Sequence, residues 1–405
     1  MKNIIFIRVF ILFLLLSNEF ILAQWVPCNN GLNDKTIFAL INKDSSIFAG
    51  TNEGIYHSTD NGDNWVEKNE GLTYPLISEF AIIGDNIIAG TYGGGIFLST
   101  DNGNSWNEKN DSINYYKILT IAIRGTKIFV GTECGDFYIS NDTGNSWISK
   151  RTGQYYYPYL NSIAISGNYI YIGTGTGGVI LSTDDGDSWS IKNNGLTNYW
   201  INSISINKDS IYAGTNSGVF LSTDSASSWT AKNSGLTDSI VNCLVIYGSN
   251  IFAGTYTGGI FLSTDSGNSW TAKNDSLTGL FILSLAISGD YIFAGTDGGG
   301  VFRARLSDFG INGIENTKKD EIAFNISPNP FSSSFNIEFT NNKSSNVLID
   351  LYDILGNRIY TKNLGFLESG MQTTTINLKE DINPGCYLVV VRSGADIQSI
   401  KVVKS

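Results

Sequence analysis

Between residues 37 and 306 the chain alternates short apolar runs with polar, glycine-containing turns, and the alternation keeps a long beat. Each beat holds four runs. Leu283-Ser284-Leu285-Ala286-Ile287 represents the first kind, Tyr169-Ile170-Tyr171-Ile172 the second and Gly259-Ile260-Phe261-Leu262-Ser263 the third. The fourth starts at a tryptophan and ends near Asn-Gly-Leu, as in Trp189 to Leu196. Runs this short, without any helical period, predict β-strands. The dipeptide Gly-Thr closes the second run at Gly50, Gly90, Gly131, Gly173, Gly214, Gly254 and Gly295, at intervals of 40 to 42 residues. Seven modules of four short strands predict an all-β chain arranged as a seven-bladed β-propeller.

The closure of the ring is also legible. The fourth-run tryptophan occurs at Trp65, Trp106, Trp147, Trp189, Trp229 and Trp270, and the seventh module runs out at Arg303-Ala304-Arg305-Leu306 without one. Near the other end, Trp25-Val26-Pro27-Cys28-Asn29-Asn30-Gly31-Leu32 has the missing pattern. Residues Trp25 to Asn29 are therefore expected to complete the last blade as its fourth strand, hiding an edge that an open sheet would expose.

Ser58-Thr59-Asp60-Asn61-Gly62-Asp63-Asn64-Trp65 fits the pattern Ser-x-Asp-x-Gly-x-x-Trp, and five more copies run Ser99–Trp106, Ser140–Trp147, Ser182–Trp189, Ser222–Trp229 and Ser263–Trp270. On these residues the chain resembles the Asp-box (BNR-repeat, sialidase-like) propellers. Asp60, Asp101, Asp142, Asp184, Asp224 and Asp265 suit an Asx-type turn that accepts backbone N–H groups, with glycine as the left-handed residue. One copy has Ala226 in place of the glycine. A left-handed alanine costs on the order of 1 kcal/mol, so that turn is expected to be strained or differently shaped. The boxes read as scaffold: Asp60 to Asp63 lacks the oxygen spacing and closing glutamate of a calcium loop, and neither a metal nor a cofactor is expected.

In an up-and-down blade the boxes follow strand three and lie opposite the Gly-Thr loops, which share their face with the connections between blades. That face is rich in aromatic side chains. Tyr74, Tyr115, Tyr116, Tyr155, Tyr156, Tyr157, Tyr159, Tyr199, Trp200 and Phe281 fall in the interblade connections, and Tyr92 and Tyr256 in the Gly-Thr loops. Such rings suit stacking on sugars or a protein hot spot, or else plug the funnel. Counting back from the first hairpin turn gives the column Phe38, Glu79, Thr120, Ser162, Ser203, Cys243 and Ser284, in which Glu79 is the one charge. A carboxylate there is the weak catalytic candidate, or a lining of the channel.

Composition narrows the chemistry. With one histidine, His57, multi-histidine metal sites are excluded and histidine-based acid–base work is all but removed. A net charge of −11 argues against nucleic acid as a partner. Sialidases hold their substrate with three arginines, whereas the propeller has Arg124, Arg151, Arg303 and Arg305 on strands that do not converge. The chain also resembles xyloglucan-type propeller hydrolases. Hydrolysis would need two carboxylates within about 5–10 Å, and the available donors are Glu53, Glu79, Glu133, Asp136 and Asp297.

The two ends carry the address. Lys2 and Arg8 accompany the apolar stretch Ile4–Leu16, which runs on to Ile21-Leu22-Ala23. Residues 1–23 read as a secretory signal peptide cleaved after Ala23, because Arg8 and Glu19 interrupt what would need about 20 apolar residues to span a bilayer. No membrane span is expected in the mature chain. Cys28, Cys134, Cys243 and Cys386 show no disulfide-framework spacing and read as unpaired. After the propeller (24–306) and a polar linker (307–323), residues 324–405 alternate as a small Ig-like β-sandwich. Pro328-Asn329-Pro330, Leu351-Tyr352-Asp353-Ile354-Leu355-Gly356, Pro384-Gly385-Cys386-Tyr387 and Lys401-Val402-Val403-Lys404 closely resemble the type A C-terminal sorting domain of the type IX secretion system. That resemblance implies export by the type IX machinery, loss of the tail, and a secreted or cell-surface protein. The reading as a whole is a non-catalytic module for a glycan or surface protein, with a polysaccharide-acting glycoside hydrolase as the alternative.

Overall fold

The computed structural model describes residues 24–33, 35–113, 117–151, 159–311, 324–341, 344–353, 357–378, 382–393 and 396–404. The expected signal peptide, most of the linker, and Tyr115, Tyr116 and Tyr155 to Tyr157 lie outside them. The chain forms two compact units, Met1–Gly313 and Ile314–Ser405. Among the described residues there is no α-helix; a 3-10 turn spans Leu306–Phe309.

The first unit holds seven four-stranded antiparallel sheets. Their first strands are Ile37–Lys43, Ile77–Ile83, Ile118–Arg124, Leu160–Ser166, Ile201–Asn207, Val241–Tyr247 and Ile282–Ser288, and the sheets are numbered here in that order. Each first strand packs on the first strand of the next sheet, and that of sheet seven packs on that of sheet one. Sheet seven borrows its outer strand from the front of the chain: Val26 pairs with Arg303 and Pro27 with Phe302, where the sequence register places them. Trp25 is fully buried beside Phe252, Leu306 and Phe309.

The Gly-Thr pairs have a steric cause. A Cβ on Gly50 would stand 2.5 Å from Ile77 Cγ2 on the inner strand of the next sheet, so only glycine lets the two approach. The following threonine ties its own loop: Thr51 Oγ1 donates to Gly54 O at 2.9 Å and accepts Glu53 N–H at 2.9 Å. Between sheets lie aromatic rings such as Phe48, Phe97, Phe220 and Phe293, all fully buried.

The second unit is two sheets over one core. Phe324–Ser327, Ser334–Asn341 and Gly370–Asn377 form one; Arg358–Leu367, Ser345–Tyr352, Gly385–Ser393 and Asp396–Lys404 form the other. Phe335, Ile337 and Phe339 of the first meet Val347, Ile349, Leu351, Val389 and Val391 of the second. The Pro-Asn-Pro segment lies along the last strand, where Asn329 Oδ1 accepts Val403 N–H at 2.8 Å and Phe331 N–H donates to Val403 O at 2.9 Å.

Candidate functional site

On one face of the ring the six boxes repeat a single hydrogen-bond set. In the first, Asp60 Oδ1 accepts Ser58 Oγ–H at 2.8 Å and Asn64 N–H at 2.9 Å, while Ser58 Oγ accepts Gly62 N–H at 2.8 Å. Donors around the carboxylate favour its ionised form. The side chains and backbone N–H groups of Asn64, Ser146, Ser188, Ser228 and Ser269 hold Asp60, Asp142, Asp184, Asp224 and Asp265 at about 2, and Ser105 lowers Asp101 in the same way. Except for Trp189, whose buried Nε1 has no partner among the described residues, the tryptophan then reaches back one sheet: Trp106 Nε1 donates to Lys68 O at 2.9 Å, Trp229 to Lys192 O at 2.8 Å, and Trp25 to Lys273 O at 2.7 Å. Ala226 keeps the same shape, with φ 64° and its N–H on Ser222 Oγ at 2.9 Å. Of the two outcomes expected for that turn, distortion is therefore absent and a left-handed alanine remains.

Two arginines serve this face. Arg124 pairs with Asp185 in the box loop of sheet four, and Arg303 with Asp63 in that of sheet one at 2.7 Å. Each is tied to a different sheet, away from the Gly-Thr loops.

A second repeated feature escaped the sequence reading. Four residues after the tryptophan an asparagine clamps the start of strand three. Asn69 Oδ1 accepts Ile55 N–H at 2.8 Å, and Asn29, Asn110, Asn193, Asn233 and Asn274 do the same in their sheets. Its signal was the column itself, broken in sheet three by Arg151.

These clamps reach into the Gly-Thr loops, where Asn110 Nδ2 donates to Gly94 O and Asn193 Nδ2 to Gly177 O, both at 2.8 Å; the side chains above them do not repeat. Of the aromatic candidates within the described residues, Tyr74, Tyr199, Trp200 and Tyr256 are 37%, 50%, 38% and 44% exposed, while Tyr92 is half-buried beneath Lys117 Nζ. Trp200 lies 5.8 Å from Tyr159, and Tyr256 4.4 Å from Phe281. Tyr74 packs over Gly93 and Gly94 of the adjoining loop. The carboxylates here are engaged: Glu53 with Lys35, Glu133 with Lys117 at 3.1 Å, and Asp297 with Thr36 Oγ1 at 2.8 Å. Asp238, which the sequence reading passed over, accepts N–H groups from Ile240, Thr257 and Gly258.

Glu79 lies deeper, opposite Gly90 on the inner strand of sheet two. Its column in sheet one is filled by Ala39, which pairs with Gly50, and not by Phe38 as counted from the sequence. The hairpin turn there has Asp44 at φ 53° where most other sheets have glycine, which moves the frame by one residue. Thr120 and Ser162 in this column accept N–H bonds from the next sheet, Ile163 at 3.1 Å and Ile204 at 2.9 Å. Glu79 instead curls onto its own neighbour, Phe80 N–H, at 3.0 Å. It sits deep among protein atoms while keeping a sliver of solvent contact, and burial raises its carboxyl to about 7. Burial likewise pushes the Cys243 thiol of the same column up to about 12. All four cysteines are free.

Residues 325–405 match the family described as the secretion system C-terminal sorting domain. The protein is secreted or held at the outer cell surface. Its tail marks it for handling by the type IX system, and among the described residues no helix is long and apolar enough to cross a membrane. No curated protein matches the chain. Solved structures give the fold. PorZ, an essential surface component of the type IX secretion system of Porphyromonas gingivalis, superposes with a TM-score of 0.55 at 14% identity, over 93% of this chain and 60% of that one. This protein thus spans less than two thirds of PorZ. YCF48 from Cyanidioschyzon merolae gives 0.58 at 13% identity, over 70% of this chain and 99% of its own. The GH74 enzyme of Niastella koreensis gives 0.51 at 20% identity, over 67% and 43%. The ring is β-propeller-like.

Proposed function

We propose that the first unit (24–306) is a seven-bladed Asp-box β-propeller acting as a non-catalytic binding module, carried out of the cell by the sorting sandwich of residues 324–405. The Gly-Thr face takes a glycan or a surface protein. The observation that carries this reading is the clustering of exposed aromatic groups: on the box face the tryptophans are spent on packing and Tyr169 is exposed at one hairpin, whereas Tyr74, Tyr199, Trp200 and Tyr256 all present their rings to solvent on the Gly-Thr face. Exposed aromatic groups on a rigid scaffold are what stacking and hot-spot contacts require. Binding of the full chain to a glycan and protein array, with loss on Trp200→Ala, tests it; an array without hits refutes it. For the tail, deletion of residues 324–405 is expected to trap the protein in the periplasm, and normal surface display of the deletion would refute the sorting role.

Hydrolysis is the second reading, favoured by Glu79 with its carboxyl near 7 and by the likeness to a GH74 enzyme. A general acid needs a partner carboxylate. Glu53, Glu133, Asp238 and Asp297 are each tied into the face by a partner of their own. Turnover of a polysaccharide that vanishes in Glu79→Gln would establish the enzyme and displace the binder.

A further inference from the structure

The Gly-Thr face is divided chemically. In sheets one and three its rim is charged, through Lys35 with Glu53 and Lys117 with Glu133. In sheets four to six it carries no ion pair among the described residues, and its carboxylate Asp238 is held by backbone N–H groups. There the second residue of each inner strand is an asparagine, and the three form a chain across consecutive sheets. Asn161 Nδ2 donates to Ile201 O at 2.9 Å, Asn202 Nδ2 to Val241 O at 3.0 Å, and Asn242 Nδ2 to Ile282 O at 2.9 Å. The same position holds Phe38, Ser78, Leu119 and Leu283 in the other sheets.

Anchoring each nitrogen fixes the amide orientation and leaves Oδ1 without a protein donor among the described residues. Asn202 spends its nitrogen twice, donating to Asn216 Oδ1 at 2.9 Å as well. Three half-buried acceptors in a row ask for a ligand rich in donors. Two residues before Asn161 and Asn202 stand Tyr159 and Trp200, with Tyr256 beside the third amide's sheet. Aromatic faces beside amide acceptors suit the C–H faces and hydroxyls of a sugar.

Charge decides between sugars. An anion would meet these acceptors beside Lys117, the cation that acts on Tyr159, and the charge of that lysine is already held by Glu133. A cation would find in this sector Asp238, whose oxygens already accept three backbone N–H groups. A peptide strand brings as many acceptors as donors, whereas every sugar hydroxyl can turn to donate. We infer that sheets four to six form a subsite for an uncharged glycan, with Trp200, Tyr159 and Tyr256 as stacking platforms and Asn161, Asn202 and Asn242 as hydroxyl acceptors. The inference rests on the Gly-Thr face being the binding surface.

Isothermal titration of the full chain with cellohexaose, mannohexaose and laminarihexaose, and with polygalacturonate as the acidic counterpart, tests it. At least one neutral oligosaccharide is expected to bind and polygalacturonate to bind at least tenfold more weakly. Trp200→Ala should weaken the neutral ligand at least tenfold, and Asn242→Ala threefold or more. Trp200 is partly exposed, so its variant should melt with the parent; Tyr256→Ala serves as the second if it does not. Preference for polygalacturonate overturns the neutral subsite and leaves the binding face intact. Neutral binding untouched by both aromatic variants overturns the location. Silence toward every saccharide, with capture of a peptide from a random library, overturns the glycan and keeps a protein partner. Silence toward both overturns the subsite and the binding module together.

Discussion

The two faces of the ring are built from the same chain by opposite rules. On the box face six loops repeat one hydrogen-bond set, Ser Oγ–H to Asp Oδ1 at 2.8 Å in every copy. On the Gly-Thr face the threonine latch and the asparagine clamp repeat, while what stands above them changes from Lys35–Glu53 to Tyr92 to Trp200. A carboxylate caught by its own loop, as Asp60 is by three donors, has most of its acceptor capacity taken up. Repetition therefore marks scaffold in this molecule, and its breakdown marks the surface free to recognise something.

The sharpest way to break that division is to remove the ring's closure. Trp25→Ala deletes a fully buried indole together with its bond to Lys273 O. A loss of about 3–5 kcal/mol is expected, read by denaturant melts of the full chain. A loss below about 1 kcal/mol would mean that the seventh sheet stands without its borrowed strand.

The next effect is one of pH, and its sign differs between the regions. The box aspartates, held at about 2, add stability above their unfolded value of 3.8 and lose it as pH falls toward 2. Glu79 works the other way. Its unfolded value is 4.5 and its folded one about 7, so ionisation penalises the folded state increasingly as pH rises between the two. From these groups the ring is most stable near pH 4 to 5. Glu79→Gln should gain less than about 1 kcal/mol over the parent at pH 5 and about 2–3 kcal/mol at pH 8. Parallel melting curves at both pH values would place Glu79 in open water.

Much of the scaffold was legible because it rests on local rules. A glycine beside an inner strand, a tryptophan reaching back one sheet and a matching tryptophan at residue 25 all follow from 40- to 42-residue spacing. The strand register failed where a local rule was satisfied by an unexpected residue: Asp44 takes the left-handed turn, so Ala39 and not Phe38 aligns with Glu79. The Gly-Thr face was legible only as a list of aromatic residues. Which of them are exposed, and that Asn161, Asn202 and Asn242 join across three sheets, depends on contacts some 40 residues apart that no local pattern encodes.

A smaller effect sharpens the scaffold side. Ala226 keeps the box geometry at φ 64° with its methyl buried near Tyr171. Glycine would relieve about 1–2 kcal/mol of left-handed strain and return about 0.4–1 kcal/mol through the freer unfolded chain. Ala226→Gly is thus expected to gain about 0.5 kcal/mol, visible as a small rise in melting temperature. A fall would mean that packing of the methyl outweighs the backbone.

The smallest expected effect is the most telling for the other face. Tyr199 is half exposed, and its backbone carbonyl, which accepts Gly178 N–H at 2.9 Å, survives any side-chain change. Tyr199→Ala should therefore shift stability by no more than about 0.5 kcal/mol, as for surface positions generally. The equivalent truncation of a box tryptophan such as Trp229, buried with its N–H bonded, should cost about 3 kcal/mol or more. The ratio between the two is the quantity to measure. If Tyr199→Ala costs as much as Trp229→Ala, the aromatic residues above the Gly-Thr loops are packing like those of the boxes, and the division between a conserving face and a recognising face disappears.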